Sequence, residues 1–168
     1  MPEKLRMEIF IDYPNIKTTA YGVRLQSGTT VNIPNIDFQK LRDIIVGSNF
    51  NLVGSNLYIE TKPGRDKFIA SLEKSAFNVV GVRPQKSVDG RLIFDVIKGA
   101  YDNRYDVAAI LSGDGDYISV VQEIKQRNKK VWIVAFGHAT NNGLKTLADN
   151  FLDLRDVRTE ISRDFNTH

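Results

Sequence analysis

Short apolar runs alternate along most of this chain with stretches whose apolar residues recur every three to four positions. Met7–Ile11 reads as a first strand. Residues 17–34 read as irregular, with Ser27-Gly28 as a hairpin turn between Val23–Leu25 and Val31–Ile33. Asp37 is placed to cap a helix through Phe38, Leu41, Ile44 and Ile45. Gly54-Ser55-Asn56 leads into a second strand, Leu57–Ile59, and Lys62-Pro63-Gly64 breaks the chain before a helix marked by Phe68, Ile69, Leu72 and Phe77. A third strand, Asn78–Val82, is closed by Arg83-Pro84, and a helix follows from near Val88 to about Tyr101. Strand four is Val107–Leu111, and its helix begins at Ile118 and ends near Arg127-Asn128. Strand five is Lys130–Phe136, bounded by Gly137. Leu144–Asn150 reads as helical and Phe151–Leu154 as a short last strand, and the polar final dozen residues are expected to fray.

Strands alternating with helices predict an α/β fold with right-handed crossovers and a mostly parallel sheet. Val131–Phe136 is apolar throughout, as a strand buried on both faces should be. At 168 residues and 42% hydrophobic, residues 1–168 suit a single domain with a core of about 7–154. No linker or internal repeat divides the chain. The absence of cysteine excludes disulfides and thiolate metal sites. No apolar run reaches membrane-spanning length and no apolar leader opens the chain, so a soluble cytoplasmic protein without a membrane partner is the expectation. A net charge of +3 permits a polyanionic partner without demonstrating one.

The chemistry concentrates at strand ends. Strand four runs into Ser112-Gly113-Asp114-Gly115-Asp116-Tyr117, where two glycines permit a tight turn and two carboxylates sit before a helix. A helix cap accounts for one of these acids and not for both. Asp12 ends strand one in the same way, followed by Pro14, which turns the chain, and by Asn15. Asp89 lies in the first turn of its helix, where the dipole also favours an acid. Asp95 lies six positions on, about 240° round the helix, so it cannot share a face with Asp89. Ligands of open α/β sheets bind beyond the carboxyl ends of the strands, which favours Asp89 over Asp95. Acids gathered there repel one another unless a cation neutralises them, and Mg²⁺ takes such oxygen ligands together with phosphate oxygens. With only His138 and His168 as imidazoles, zinc is disfavoured, and His138 reads as a surface-loop residue. The chain has no P-loop and no glycine fingerprint after strand one, and Pro14 opposes an Asp-x-Asp phosphatase.

Together these residues resemble a family: the NYN-domain proteins of the LabA-like type, within the PIN-like ribonucleases. Ile9–Asn15 resembles the opening strand with its Asp-x-x-Asn. Lys86-Ser87-Val88-Asp89, followed by Leu92 and Asp95, looks like the central Lys-x-x-Asp helix. Leu111–Tyr117 resembles the Ser-Gly-Asp-x-Asp-aromatic block, the most specific of the three. Lys130-Val131, Gly137 and Leu147–Phe151 also follow the pattern, whereas Pro14 and residues 17–35 depart from it. The resemblance implies a three-layer Rossmann-like (PIN-like) sheet of about five strands in central order 3-2-1-4-5. It also implies a metal-dependent endoribonuclease that leaves a 5′-phosphate and a 3′-hydroxyl. Asp12, Asp89, Asp114 and Asp116 would be catalytic and would hold Mg²⁺ or Mn²⁺, with Asn15, Ser112, Lys86 and Arg91 on the substrate. RNA, single-stranded or structured, is the implied partner, and self-association into a homodimer is left open. Lys17, Arg24, Lys62, Arg65, Lys67 and Arg83 are further candidates for phosphate contact or an ordinary solvated face, and Tyr13 and Tyr21 could stack bases, whereas Tyr117 reads as core. A non-catalytic RNA-binding or regulatory module that keeps the acids is the alternative.

Overall fold

The computed structural model describes residues 2–163. Its main sheet has six parallel strands: β1 (Leu5–Asp12), β4 (Phe50–Glu60), β5 (Asn78–Val82), β6 (Val107–Leu111), β7 (Lys130–Ala135) and β8 (Asn150–Asp153). They are ordered β5-β4-β1-β6-β7-β8. Counted within this sheet the order is 3-2-1-4-5-6, so the expected central order holds and the short last strand makes the count six rather than five. A two-residue hairpin, β2 (Val23–Arg24) with β3 (Thr30–Val31), stands apart and is antiparallel.

Side-chain alternation along β1 divides the core into two layers. Met7, Ile9 and Ile11 face α1 (Tyr13–Thr19), α2 (Phe38–Val46), α3 (Asp66–Lys74) and α7 (Arg158–Ile161). Phe10 faces α4 (Val88–Tyr101), α5 (Ile118–Gln126) and α6 (Asn142–Leu147). Every residue of β6 is buried, which is why that run carries no polar position. The caps fall where short polar side chains precede apolar periodicity. Asp37 accepts from Lys40 N at the start of α2, and Ser87 accepts from Gly90 N at the start of α4.

Five expectations are corrected. Residues 13–19 form α1, capped by the Asp12 side chain, with Pro14 in its first turn, where the missing amide hydrogen costs nothing. The second strand extends back to Phe50 and contains Gly54-Ser55-Asn56, because its pairing with β1 overrides the local turn preference. The pairing register shifts between Met7 and Glu8 to absorb the extra residue. α3 stops at Lys74, short of Phe77, and α6 ends at Leu147 before β8 begins. The last dozen residues do not fray as far as Arg163: Leu154–Val157 is a 3₁₀ turn and α7 follows it. Leu154 and Ile161 are fully buried, and Ile36 bridges to Ser162, so two apolar anchors secure this segment. The expected fraying of residues 164–168 lies outside the described residues.

Candidate active site

The sheet order reverses direction between β1 and β6, the switch point where α/β sheets open a crevice. Asp12 ends β1 on one side of it, and Ser112 follows β6 on the other. Asn15 ties the two together: its Oδ1 accepts from Gly113 N at 3.1 Å. Gly113 must be glycine, since a Cβ there would lie 2.9 Å from both Ala139 O and Thr140 Cα.

Asp12 is 6% exposed, and both of its oxygens are engaged. Oδ1 accepts from Asn15 N at 3.2 Å, and Oδ2 accepts from the buried Tyr117 hydroxyl at 3.1 Å. Burial raises the Asp12 pKa above the usual carboxylate value. Hydrogen bonds from Asn15, Tyr117 and Ser112 oppose the rise without cancelling it, and the nearby Asp89 charge adds to it. The same burial, with the Asp12 charge beside it, pushes the Tyr117 phenol strongly up, so it stays a donor. Ser112 is fully buried, and its Oγ accepts from Asp114 N at 3.2 Å. It is part of the scaffold behind the acids.

Asp114 caps the 3₁₀ turn Gly115–Tyr117, with Oδ1 accepting from Asp116 N at 2.9 Å. Capping and ligation are compatible, because a carboxylate has lone pairs to spare. Asp89 projects from the first turn of α4 toward the same place. Carboxylate oxygens of Asp89, Asp114 and Asp116 all lie within 4.8 Å of one another. Two oxygens on opposite sides of a Mg²⁺ ion lie about 4 Å apart at its bond lengths. Three hard oxygen donors are the set that Mg²⁺ or Mn²⁺ takes, and a spread of up to 4.8 Å would have to close by about 1 Å round the ion. An open cleft of about 370 Å³ is lined by Asp12, Asn15, Lys86, Asp89 and Asp114, and also by Glu60.

The structure thus brings together three of the four expected acids as one group, with Asp12 beside them at the cleft floor, and it sets Lys86 at the rim. It separates Arg91, which pairs with Asp95 at 3.3 Å and lines a different pocket. Asp95 also accepts from the Tyr58 hydroxyl at 2.8 Å, away from the acid group. Tyr117 is buried, as core, and Tyr21 is exposed. His138 is exposed; partial burial, with the Arg155 charge, lowers its pKa. Glu60 escaped the sequence reading. It ends β4 at the same edge as Asp12 ends β1, a signal masked because that strand was read as stopping at Ile59.

A doubly wound parallel sheet with a carboxylate-lined cleft at its switch point defines a Rossmann-like α/β protein with an acidic site. The NYN domain profile matches residues 6–155, so the chain belongs to the NYN domain family, part of the PIN-like nuclease superfamily. Comparison with curated proteins returns no match. Among solved structures, a crystal structure of a protein of unknown function from Vibrio parahaemolyticus is similar, with a TM-score of 0.74 and 24% identity. The similarity covers 97% of this chain and 100% of that one, and it supports the fold. No helix among the described residues is long and apolar enough to cross a membrane.

Proposed function

We propose that the protein is a metal-dependent endoribonuclease of the LabA-like type, acting on RNA through Asp12, Asp89, Asp114 and Asp116. The observation that carries this reading is the convergence of Asp89, Asp114 and Asp116 within 4.8 Å at the sheet's switch point. These acids would hold Mg²⁺ or Mn²⁺, which when bound would supply positive charge for the scissile phosphate and lower the pKa of a bound water toward neutrality. The rest of the work falls to the chain itself. Asp12, fixed by Asn15 N and the Tyr117 hydroxyl, keeps the β1 end in place against the β6 turn. Lys86 meets a backbone phosphate at the rim as a point charge. Asn15, anchored through Oδ1, lines the cleft, where its side-chain amide would donate to the strand. Overall, water adds across one P–O bond, leaving a 3′-hydroxyl and a 5′-phosphate.

The test is incubation of the full chain with 5′-labelled single-stranded RNA in Mg²⁺, in Mn²⁺ and in EDTA, with analysis of the product ends. Internal cuts bearing 5′-phosphates, lost in EDTA, are expected; cleavage that persists in EDTA would refute the proposal. One observation favours the second reading, a binding module without turnover. Both oxygens of Asp12 are occupied by chain donors, as in a structural acid. RNA binding with no cleavage in either metal would select that reading.

A further inference from the structure

The segment 17–35, which departs from the family pattern, closes one wall of a cavity on the far side of α1 from the acids. Tyr13 and Lys17 line this cavity, whereas Asn15, Thr18 and Thr19 line the acid cleft, so one helix turn presents opposite faces to both. The cavity is about 160 Å³. That is well below the roughly 300–1,000 Å³ that holds a whole small ligand, so the space suits one planar ring system. Its walls are aromatic. Tyr13 lies 5.2 Å from Phe68 and 6.0 Å from Phe38, centroid to centroid. Its entrance is cationic. Lys17 lines the cavity with its Nζ 5.9 Å from the Tyr13 ring, Arg163 lines it while pairing with Asp37 at 3.8 Å, and the Arg65 guanidinium, outside the lining, stands 5.7 Å from the same ring.

We infer that this cavity receives a nucleobase of the RNA strand whose phosphate lies at the acid cleft, a reading that rests on the proposed substrate. Single-stranded RNA is held by stacking splayed bases on aromatic rings while cations follow the backbone. Tyr13 directly follows Asp12, so the aromatic wall is tied to the metal-binding edge by a single peptide bond. Asn35, also at the cavity, offers an amide to the edge of the base. The cations at the entrance, Lys17 foremost, favour an occupant that is anionic as well as planar, which a nucleotide is and an apolar peptide side chain is not. The hairpin β2–β3 holds the wall: Ile33 N donates to Ala20 O at 2.8 Å, across the base of the cavity.

The test is saturation-transfer NMR on the full chain with each of the four nucleoside 5′-monophosphates in EDTA, so neither metal nor turnover is needed. Base protons are expected to receive more saturation than ribose protons. Phe68→Ala and Arg163→Ala are each expected to weaken binding about tenfold, within the range measured for loss of one stacking partner. Arg163 is exposed, so its variant reports even if Phe68→Ala misfolds. A third variant, Ala20→Leu, fills the cavity from within and should abolish the transfer. Asp114→Asn should leave it unchanged. Transfer that is absent from the parent, or equal in the parent and the Arg163→Ala and Ala20→Leu variants, would overturn the inference. RNA cleavage by the parent with unaltered nucleotide binding in these variants would sink the cavity alone. An inactive parent that still shows Phe68-dependent transfer would sink the nuclease and leave the cavity standing.

Discussion

Replacing Tyr117 by phenylalanine removes one oxygen atom from the interior and one hydrogen bond from the most buried acid of the site. Tyr117 is fully buried and its hydroxyl donates to Asp12 Oδ2 at 3.1 Å. Asp12 is only 6% exposed, so water cannot readily replace the lost donor. A hydrogen bond to an ionised group contributes about 1.5–3 kcal/mol, and one between neutral groups about 0.5–1.5 kcal/mol. For a chain of 168 residues, at about 2–4 °C per kcal/mol, the charged case lowers Tm by about 3–12 °C. The pH dependence follows from the Asp12 pKa. Burial raises it, so the folded protein keeps its proton longer than the unfolded one, and stability falls as pH rises from about 3.9 through the folded value. The Tyr117 bond favours the ionised form and limits that fall. Without it the folded pKa climbs further. The deficit of Tyr117→Phe should therefore be smallest in acid and largest near neutrality. Thermal unfolding followed by circular dichroism in EDTA, across roughly pH 4 to 8, measures it. Equal melting of variant and parent at neutral pH, or a deficit that shrinks as pH rises, would refute this account of Asp12.

Glu8 is buried and chelated by Arg104 at 2.6 and 2.9 Å, with Asn56 Nδ2 donating at 3.1 Å. Arg104→Ala strands this charge and should cost about 3 kcal/mol, the low end for broken buried pairs because the Arg104 side chain is 41% exposed; calorimetry reads it as a Tm drop of about 6–12 °C. Burial pushes the Asp153 pKa up, but hydrogen bonds from the Arg155 guanidinium and the amides of Gly137 and Arg155 outweigh it, so the value is lowered. Its contribution is then complete above about pH 3.9 and lost as pH falls through the folded value, so Asp153→Asn should flatten the acid limb of the stability curve. Lys86→Ala should reduce the salt dependence of RNA binding by about one counterion, measured by anisotropy against salt concentration, whereas Arg91→Ala should leave it unchanged.

The fold was readable wherever a strand is buried on both faces or a helix is both capped and periodic. β6 and, from Val131 on, β7 show as unbroken apolar runs, and α4 is bounded by Ser87 and by the end of its apolar spacing at Tyr101. What escaped depends on long-range partners. Gly54-Ser55-Asn56 looks like a turn until β1 pairs with it. The tail looks frayed until Ile161 joins Leu154 on the α2 side of the core. The acids were identified because chain order alone places them at one sheet edge. Arg91 was misplaced by the same reasoning. It brackets Asp89 in sequence, yet two residues along a helix turn its side chain about 200° away, toward Asp95 one turn further on.

The measurement that bears most directly on the central claim is single-turnover cleavage of a labelled single-stranded RNA in Mn²⁺ by the parent and by Asp114→Asn. The variant keeps the shape of the side chain and its capping oxygen while removing its charge. The account predicts a rate more than about a hundredfold lower, beyond the loss from disturbing a ligand's supporting partner, with a melting temperature in EDTA that does not fall, since one repelling charge is removed. Cleavage by Asp114→Asn at the parent's rate would contradict it.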